Sequence, residues 1–188
     1  MRNATVTTIA PTGTISIIAG CSSGIEPLFA ISFIRNVMEG TRLHETHHTF
    51  EEIAKKRKFL SQDLLIQISK TGSIQKIASI PKNVKRVFVT ALDISPEWHI
   101  KMQSAFQKYT DNAVSKTINL PENANTEDVG NSYLFAHQLK CKGITVYRYG
   151  SKPEQVLTIG EPEKGRGQGQ IMADSEFSGG CEGIVCPH

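Results

Sequence analysis

The chain has 188 residues, of which 39% are hydrophobic and 21% charged, and a formal net charge of +3. That size and balance fit a soluble globular domain with a sizeable core, and so small a charge gives no footing for nucleic-acid binding. No apolar run approaches the roughly 20 residues of a membrane-spanning helix, no signal-like apolar region follows Met1-Arg2-Asn3, and the four scattered cysteines are not a secreted disulfide framework. A cytoplasmic protein is expected.

Ala4, Val6 and Thr8 alternate with Thr5, Thr7 and Ile9, the period of a strand entering a core. Pro11 lacks an amide hydrogen and stops the ladder. Thr12-Gly13-Thr14-Ile15-Ser16 follows, small or hydroxylated at four of its five positions. Amides at a helix start have no intrahelical partner and the helix dipole there favours an anion, so this bend is a candidate phosphate site. PTGTIS is neither GxxxxGK(S/T) nor GxGxxG, and an ordinary turn with a helix cap has the same look.

Cys21-Ser22-Ser23-Gly24 reads as a turn, with Cys21 expected to be a buried hydrophobe rather than a reactive thiol. Residues 25–29 and 30–36 look extended. Glu26 is either an acid or base near a ligand or a structural hydrogen-bonding group, with no partner visible in the sequence.

His44-Glu45-Thr46-His47-His48 satisfies HExxH, the zinc-hydrolase pattern in which two imidazoles one helical turn apart hold the metal, and Asp63 is an available third ligand. The competing reading is a polar helix start capped by Thr46 or Thr49, with Phe50, Ile53 and Ala54 inward. The basic run Lys55, Lys56, Arg57 and Lys58 points in several directions on a helix and reads as a solvated face. A second helix is expected over 61–69, broken at Gly72-Ser73, and 84–91 (VKRVFVTA) has the β-branched content of a strand.

Ser95-Pro96-Glu97 marks a helix start, and Trp98, Met102, Ala105, Phe106 and Tyr109 recur at helical spacing, predicting a core-facing stripe. Residues 113–120 read as a strand whose Ser115, Lys116, Thr117 and Asn119 are polar enough for a ligand-facing end or a solvent-facing edge. Thr126 is the expected cap of the next helix, and 144–147 a last strand. Strands alternating with helices at this spacing mean crossover units and a largely parallel sheet. Beyond Gly150 the chain turns Gly-rich, a flexible tail ending in Cys181 and Cys186. Thiols on a mobile arm can exchange disulfides by direct contact. A metal site with His188 is the competing reading, disfavoured because zinc sites use closer cysteines and four ligands.

Three stretches, RNATVTTIAPTGTIS with GCSSGIEP, FQKYTDNAVSKTINLP, and CKGITVYRYGS, closely resemble the adenosylcobalamin-dependent (class II) ribonucleotide reductases, in the family's order and over most of residues 2–151. The resemblance implies that residues 1–150 are part of the second half of the ten-stranded α/β barrel of the catalytic chain, with flanking helices, and that 151–188 are the flexible tail. It makes Thr12, Gly13, Thr14, Ile15 and Ser16 the anchor for the phosphates of a ribonucleoside di- or triphosphate. It makes Cys181 and Cys186 the redox shuttle re-reduced by a thiol reductant protein, and adenosylcobalamin the radical source. It places the HExxH stretch in a peripheral helical region without a metal triad.

The family's Asn-x-Cys-x-Glu loop, which carries the radical cysteine, does not occur in these 188 residues, and Cys21 and Cys141 do not sit in such a motif. No catalytic residue is therefore expected in this chain. Deoxyribonucleotide formation, the family's route to DNA precursors, is expected only with the N-terminal part of the reductase or another reductase chain. The alternative is a non-catalytic phosphate- or nucleotide-binding module, or a remnant, that kept the anchor and lost the chemistry.

Overall fold

The structure, a computed structural model, describes residues 2–37 and 41–151. They form two units, one running through Pro27 and again from Ile94 to Ser151, the other from Leu28 to Asp93. No helix among the described residues is long and apolar enough to cross a membrane.

In the Leu28–Asp93 unit, β1 (Ser32–Val37) and β2 (Thr41–Thr46) pair antiparallel, with Ser32 opposite Thr46. Helices α2 (His48–Lys56), α3 (Gln62–Thr71) and α4 (Lys82–Lys85) follow. Phe50 and Ala54, spaced i and i+4, put one face of α2 into a core shared with Ile31, Leu64, Ile68, Ile74, Ile80, Val84 and Phe88. Phe50 meets Phe88 edge-on, with ring centroids 5.4 Å apart. Ser61 caps α3 by accepting from the Leu64 amide, and Gly72, at φ 67°, ends it in the left-handed conformation.

Two expectations fail in this unit. The stretch 84–91 is no strand: Pro81 starts α4, its carbonyl accepting from the Val84 and Lys85 amides. Val84 and Phe88 are buried at helical spacing while Val87 is 73% exposed. Proline and the i,i+4 pattern override β-branched content. The HExxH spacing does not make a helical pair either, because His44 lies on β2 while His48 opens α2. His47 precedes α2 without a side-chain capping bond, so neither Thr46 nor Thr49 is the cap. Asp63 sits in the first turn of α3, where its charge suits the dipole.

The other unit holds α1 (Gly13–Ala19), α5 (Pro96–Gln107), β3 (Thr117–Leu120), α6 (Thr126–Gln138) and β4 (Thr145–Arg148). β3 and β4 are parallel, Thr117 opposite Thr145, and α6 makes the crossover between them. The expected opening strand is reduced to one parallel bridge, Ile9 with Val114, backed by Ser115 N–H donating to the Ile9 carbonyl. Asn125, rather than Thr126, caps α6: its side chain accepts from the Asp128 amide while Asp128 accepts from its own amide. Ile100, Ile118, Leu120 and Ala136 form the core.

α5 is turned opposite to expectation. His99, Ile100, Gln103, Ser104 and Gln107 are buried, whereas Trp98, Met102 and Phe106 are exposed. The polar residues satisfy main-chain groups that would otherwise be stranded: Gln103 Nε2 donates to the carbonyls of Val114 and Gly143, and Ser104 Oγ to that of Leu139. Gln107 donates to Thr110 and Asn112 and accepts from the Val114 and Lys142 amides. Paired main-chain groups outrank the apolar stripe in fixing the helix's rotation.

Asp111 holds the opening segment in place. Its carboxylate accepts from the Val6 and Thr7 amides, and its own amide donates to Thr7 Oγ1. The Val6 amide first, then Thr7, lowers its pKa below the ordinary value of 3.8. A carboxyl depressed on folding adds stability above its unfolded pKa and loses it as pH falls through the folded value. The Val6 and Thr7 amide resonances are therefore expected to titrate together in acid with a midpoint below that of an ordinary carboxyl, and to show no such titration in Asp111→Asn.

Candidate phosphate-binding loop

The five residues singled out in the sequence fall in one bend between the Ile9 bridge and α1. Thr12 takes a left-handed backbone, φ 52°, unusual for a β-branched residue. Its carbonyl accepts from the Ser16 amide at 3.0 Å, starting the helix. Its hydroxyl accepts from the Gly24 amide at 2.9 Å, tying the bend to the turn beyond the helix. Ser16 is buried, and its hydroxyl donates to the Gly13 carbonyl at 2.7 Å.

Two of the three hydroxyls are thus committed to holding the bend. The amides of Gly13, Thr14 and Ile15 have no hydrogen-bond partner among the described residues. The Thr14 side chain is exposed beside them. Three free amides and one free hydroxyl on a bend fixed by its own side chains can accept an oxyanion without rearranging.

Gly24 is required where it stands. Its φ is +51°, and a Cβ there would lie 3.1 Å from the Ala10 carbonyl oxygen. Gly24→Ala is expected to cost about 1–2 kcal/mol from the left-handed backbone alone. It would loosen the Thr12 contact, lowering the urea midpoint and broadening the Gly13–Ile15 amide resonances more than those of α6. Cys21, expected to be buried, is exposed, just past α1 and the left-handed turn at Gly20, φ 63°. Cys141 is half-buried, and burial pushes its thiol pKa up, away from reactivity.

Behind the loop lies a polar cluster whose pairing was not visible in the sequence. Lys116 is buried, and its Nζ is 2.6 Å from Glu26 Oε2 and 2.8 Å from His99 Nδ1. The same ammonium also donates to the Thr117 carbonyl. The other Glu26 oxygen accepts from the Thr117 amide. Burial lowers the Lys116 pKa from 10.5, and the bond and charge of Glu26 oppose that shift. Of the four polar residues in 115–119, Lys116 and Asn119 are buried, so the solvent-edge reading fails for them. Glu26 is the structural group and not a free acid: it joins the segment after the loop to β3. Only residue chemistry hinted at this, since 90 positions separate the partners.

Cys181 and Cys186 lie outside the described residues.

The family model for the ribonucleotide reductase barrel domain matches residues 1–147. The chain is 52% identical, over 87% of its length, to the vitamin B12-dependent ribonucleoside-diphosphate reductase of Thermoplasma acidophilum, and 46% identical, over 98%, to that of Mycobacterium tuberculosis. It spans 21% and 26% of those two proteins. Among solved structures it resembles the Actinobacillus ureae class Id ribonucleotide reductase alpha subunit, with a TM-score of 0.65 at 26% identity, over 79% of this chain and 27% of that one.

Proposed function

Because this chain belongs to the ribonucleotide reductase barrel-domain family, we propose that it is the C-terminal barrel segment of an adenosylcobalamin-dependent reductase, supplying the substrate's phosphate anchor. Its fold is a part of the reductase α/β barrel with an unclosed sheet. Residues 1–150 make the barrel segment and 151–188 the tail. The observation that carries the reading is the bend Thr12–Ser16, whose Gly13, Thr14 and Ile15 amides are free on a self-held backbone.

The ligand is a ribonucleoside di- or triphosphate. Its phosphates accept from those amides and from Thr14, while Thr12 and Ser16 keep the bend in shape. Fixing the phosphates turns a mobile ribose into one held at a constant distance from the reacting thiol. Glu26 and Lys116 hold the anchor against β3. Cys181 and Cys186 return two electrons by thiol–disulfide exchange: the reduced pair attacks the active-site disulfide, leaves as a disulfide itself, and is re-reduced by a thiol reductant protein. The setting is the cytoplasm.

Adenosylcobalamin supplies the radical in this scheme. The described residues do not build a cradle for it. The open clefts beside the loop, about 430 and 230 Å³, are small for a corrin ring with its nucleotide tail and adenosyl group. No step is therefore assigned to the cofactor on this chain.

Titrating the chain with a ribonucleoside diphosphate should move the Gly13, Thr14 and Ile15 amide resonances first, and a change centred elsewhere would remove the anchor. The purified 188-residue polypeptide with adenosylcobalamin, a dithiol and the ribonucleotide should form no deoxyribonucleotide. Product should appear when an upstream reductase polypeptide carrying the Asn-x-Cys-x-Glu loop is added. Nucleotide binding without product in the mixture would favour the non-catalytic module.

A further inference from the structure

His99 is 1% exposed on the buried face of α5, and the scheme above gives it no task. A buried imidazole costs free energy unless it is hydrogen-bonded. Its Nδ1 lies 2.8 Å from Lys116 Nζ. Two more acceptors stand around that ammonium, Glu26 Oε2 at 2.6 Å and the Thr117 carbonyl. An ammonium has three hydrogens and no lone pair, so three acceptors use it completely. The Glu26 carboxylate favours this charged form over the neutral amine. A charged Lys116 needs an unprotonated Nδ1 beside it, which puts the imidazole hydrogen on Nε2.

Glu26 carries this constraint to the loop. Its amide donates to the Ser23 carbonyl at 2.9 Å, closing a turn over residues 23–26. Within that turn the Gly24 amide donates to Thr12 Oγ1 at 2.9 Å. Thr12 keeps a backbone at φ 52°, an outlier for a β-branched residue that its surroundings must hold. A series of hydrogen bonds and one short turn thus joins His99, through Lys116 and Glu26, to the residue that shapes the bend. We infer that His99 is a positioning residue for the phosphate loop: with Nδ1 as acceptor it aims the Lys116 ammonium at Glu26, and so keeps the turn over 23–26 against Thr12. It touches no phosphate itself. This role rests on the nucleotide-binding function proposed above, and adds to it the α5 residue on which the shape of the loop depends.

The full 188-residue chain, with isotope-labelled histidine and with ADP as the probe, tests this. Proton–nitrogen correlation spectra of the unliganded protein near neutral pH should show His99 as the Nε2–H tautomer, its signal identified by its loss in His99→Asn. A hydrogen on Nδ1 would overturn the assignment. ADP affinity then separates positioning from packing. His99→Leu is close to histidine in volume but offers no acceptor, whereas His99→Asn leaves a gap but keeps an oxygen near the place of Nδ1. If packing alone mattered, leucine would bind ADP better than asparagine. The reverse order is expected: His99→Leu about tenfold weaker than wild type and His99→Asn within about threefold of it, with the Gly24 amide resonance displaced more in the leucine variant. Asparagine as weak as leucine, or leucine as tight as wild type, would sink the role of His99 and leave the anchor standing. Should His99→Leu fail to fold, the tautomer and the asparagine variant decide the matter. If wild type shows no ADP-induced shift at Gly13–Ile15, the proposed function falls and the role of His99 with it.

Discussion

Glu26→Ala is expected to destabilise the barrel unit by about 3–5 kcal/mol, the usual cost of leaving a buried charge without its partner. The carboxylate holds Lys116 Nζ at 2.6 Å and the Thr117 amide with its other oxygen. The Lys116 side chain is 1% exposed and has no route to water, whereas the Glu26 side chain is 22% exposed. The two single variants should therefore differ: Lys116→Met leaves a carboxylate that can turn toward solvent and should cost less than Glu26→Ala. The double variant Glu26→Leu with Lys116→Met should recover much of the loss, since a packed apolar pair has no charge to desolvate. Urea unfolding of these proteins, with the single variant Glu26→Leu added, closes the cycle.

The same cluster predicts a pH dependence with a definite sign. Burial holds the folded-state pKa of Lys116 below its ordinary 10.5. Between the folded and unfolded values the unfolded chain binds more protons, so stability rises with pH through that window and levels off above 10.5. Lys116→Met should flatten this rise. A wild-type slope that survives in the variant would mean that another group carries it. Because Glu26 follows the loop that Gly24 ties to Thr12, Glu26→Ala should also weaken nucleotide-induced shifts at Gly13–Ile15. A variant with lost stability but unchanged shifts would detach the cluster from the anchor.

Local signals in the sequence located the elements that depend on near neighbours. Ser61 and Gly72 bound α3 as capping chemistry requires, Pro96 opens α5, and the strands expected over 113–120 and 144–147 are found, the first shortened, at 117–120 and 145–148 about a helix of crossover length. The bend at 12–16 was legible for the same reason: its small, hydroxylated residues have few uses except at a turn or cap. What stayed hidden depends on distant partners. Glu26 and Lys116 each look unremarkable until folding brings them together. Thr12 and Ser16 looked like ligand hydroxyls, but the Gly24 amide and the Gly13 carbonyl had prior claim on them. β-branched residues at 84–91 misled because the burial that makes such residues favour strands is absent at Val87. The α5 stripe was read correctly as apolar and wrongly as inward, since hydrophobic spacing says which residues share a face but not what lies against it.

That inverted helix leads to the second large effect. Gln103→Leu is close in volume and more apolar, and by hydrophobicity alone it would stabilise a fully buried position. The opposite is expected. Gln103 Nε2 donates at 3.0 Å to Val114 O and at 2.8 Å to Gly143 O, carbonyls on either side of the place where 113–115 and 143–145 run together. Leucine leaves the buried Val114 carbonyl and the partly buried Gly143 carbonyl without this donor, at about 1–3 kcal/mol for the buried one and less for the other, so a loss of about 2–4 kcal/mol is expected in urea unfolding. Gln103 Oε1 has no hydrogen-bond partner among the described residues, so Gln103→Glu tests the direction of the amide: a carboxylate would face two carbonyls with no proton to give. It should be as damaging as leucine at neutral pH and partly recover in acid, where a protonated carboxyl can donate to one of them. Equal stability of Gln103→Leu and wild type would show that these carbonyls find other donors. The hydrogen bonds would then not be what holds α5 with its apolar row outward, and the surface formed by Trp98, Met102 and Phe106 would lose its physical basis.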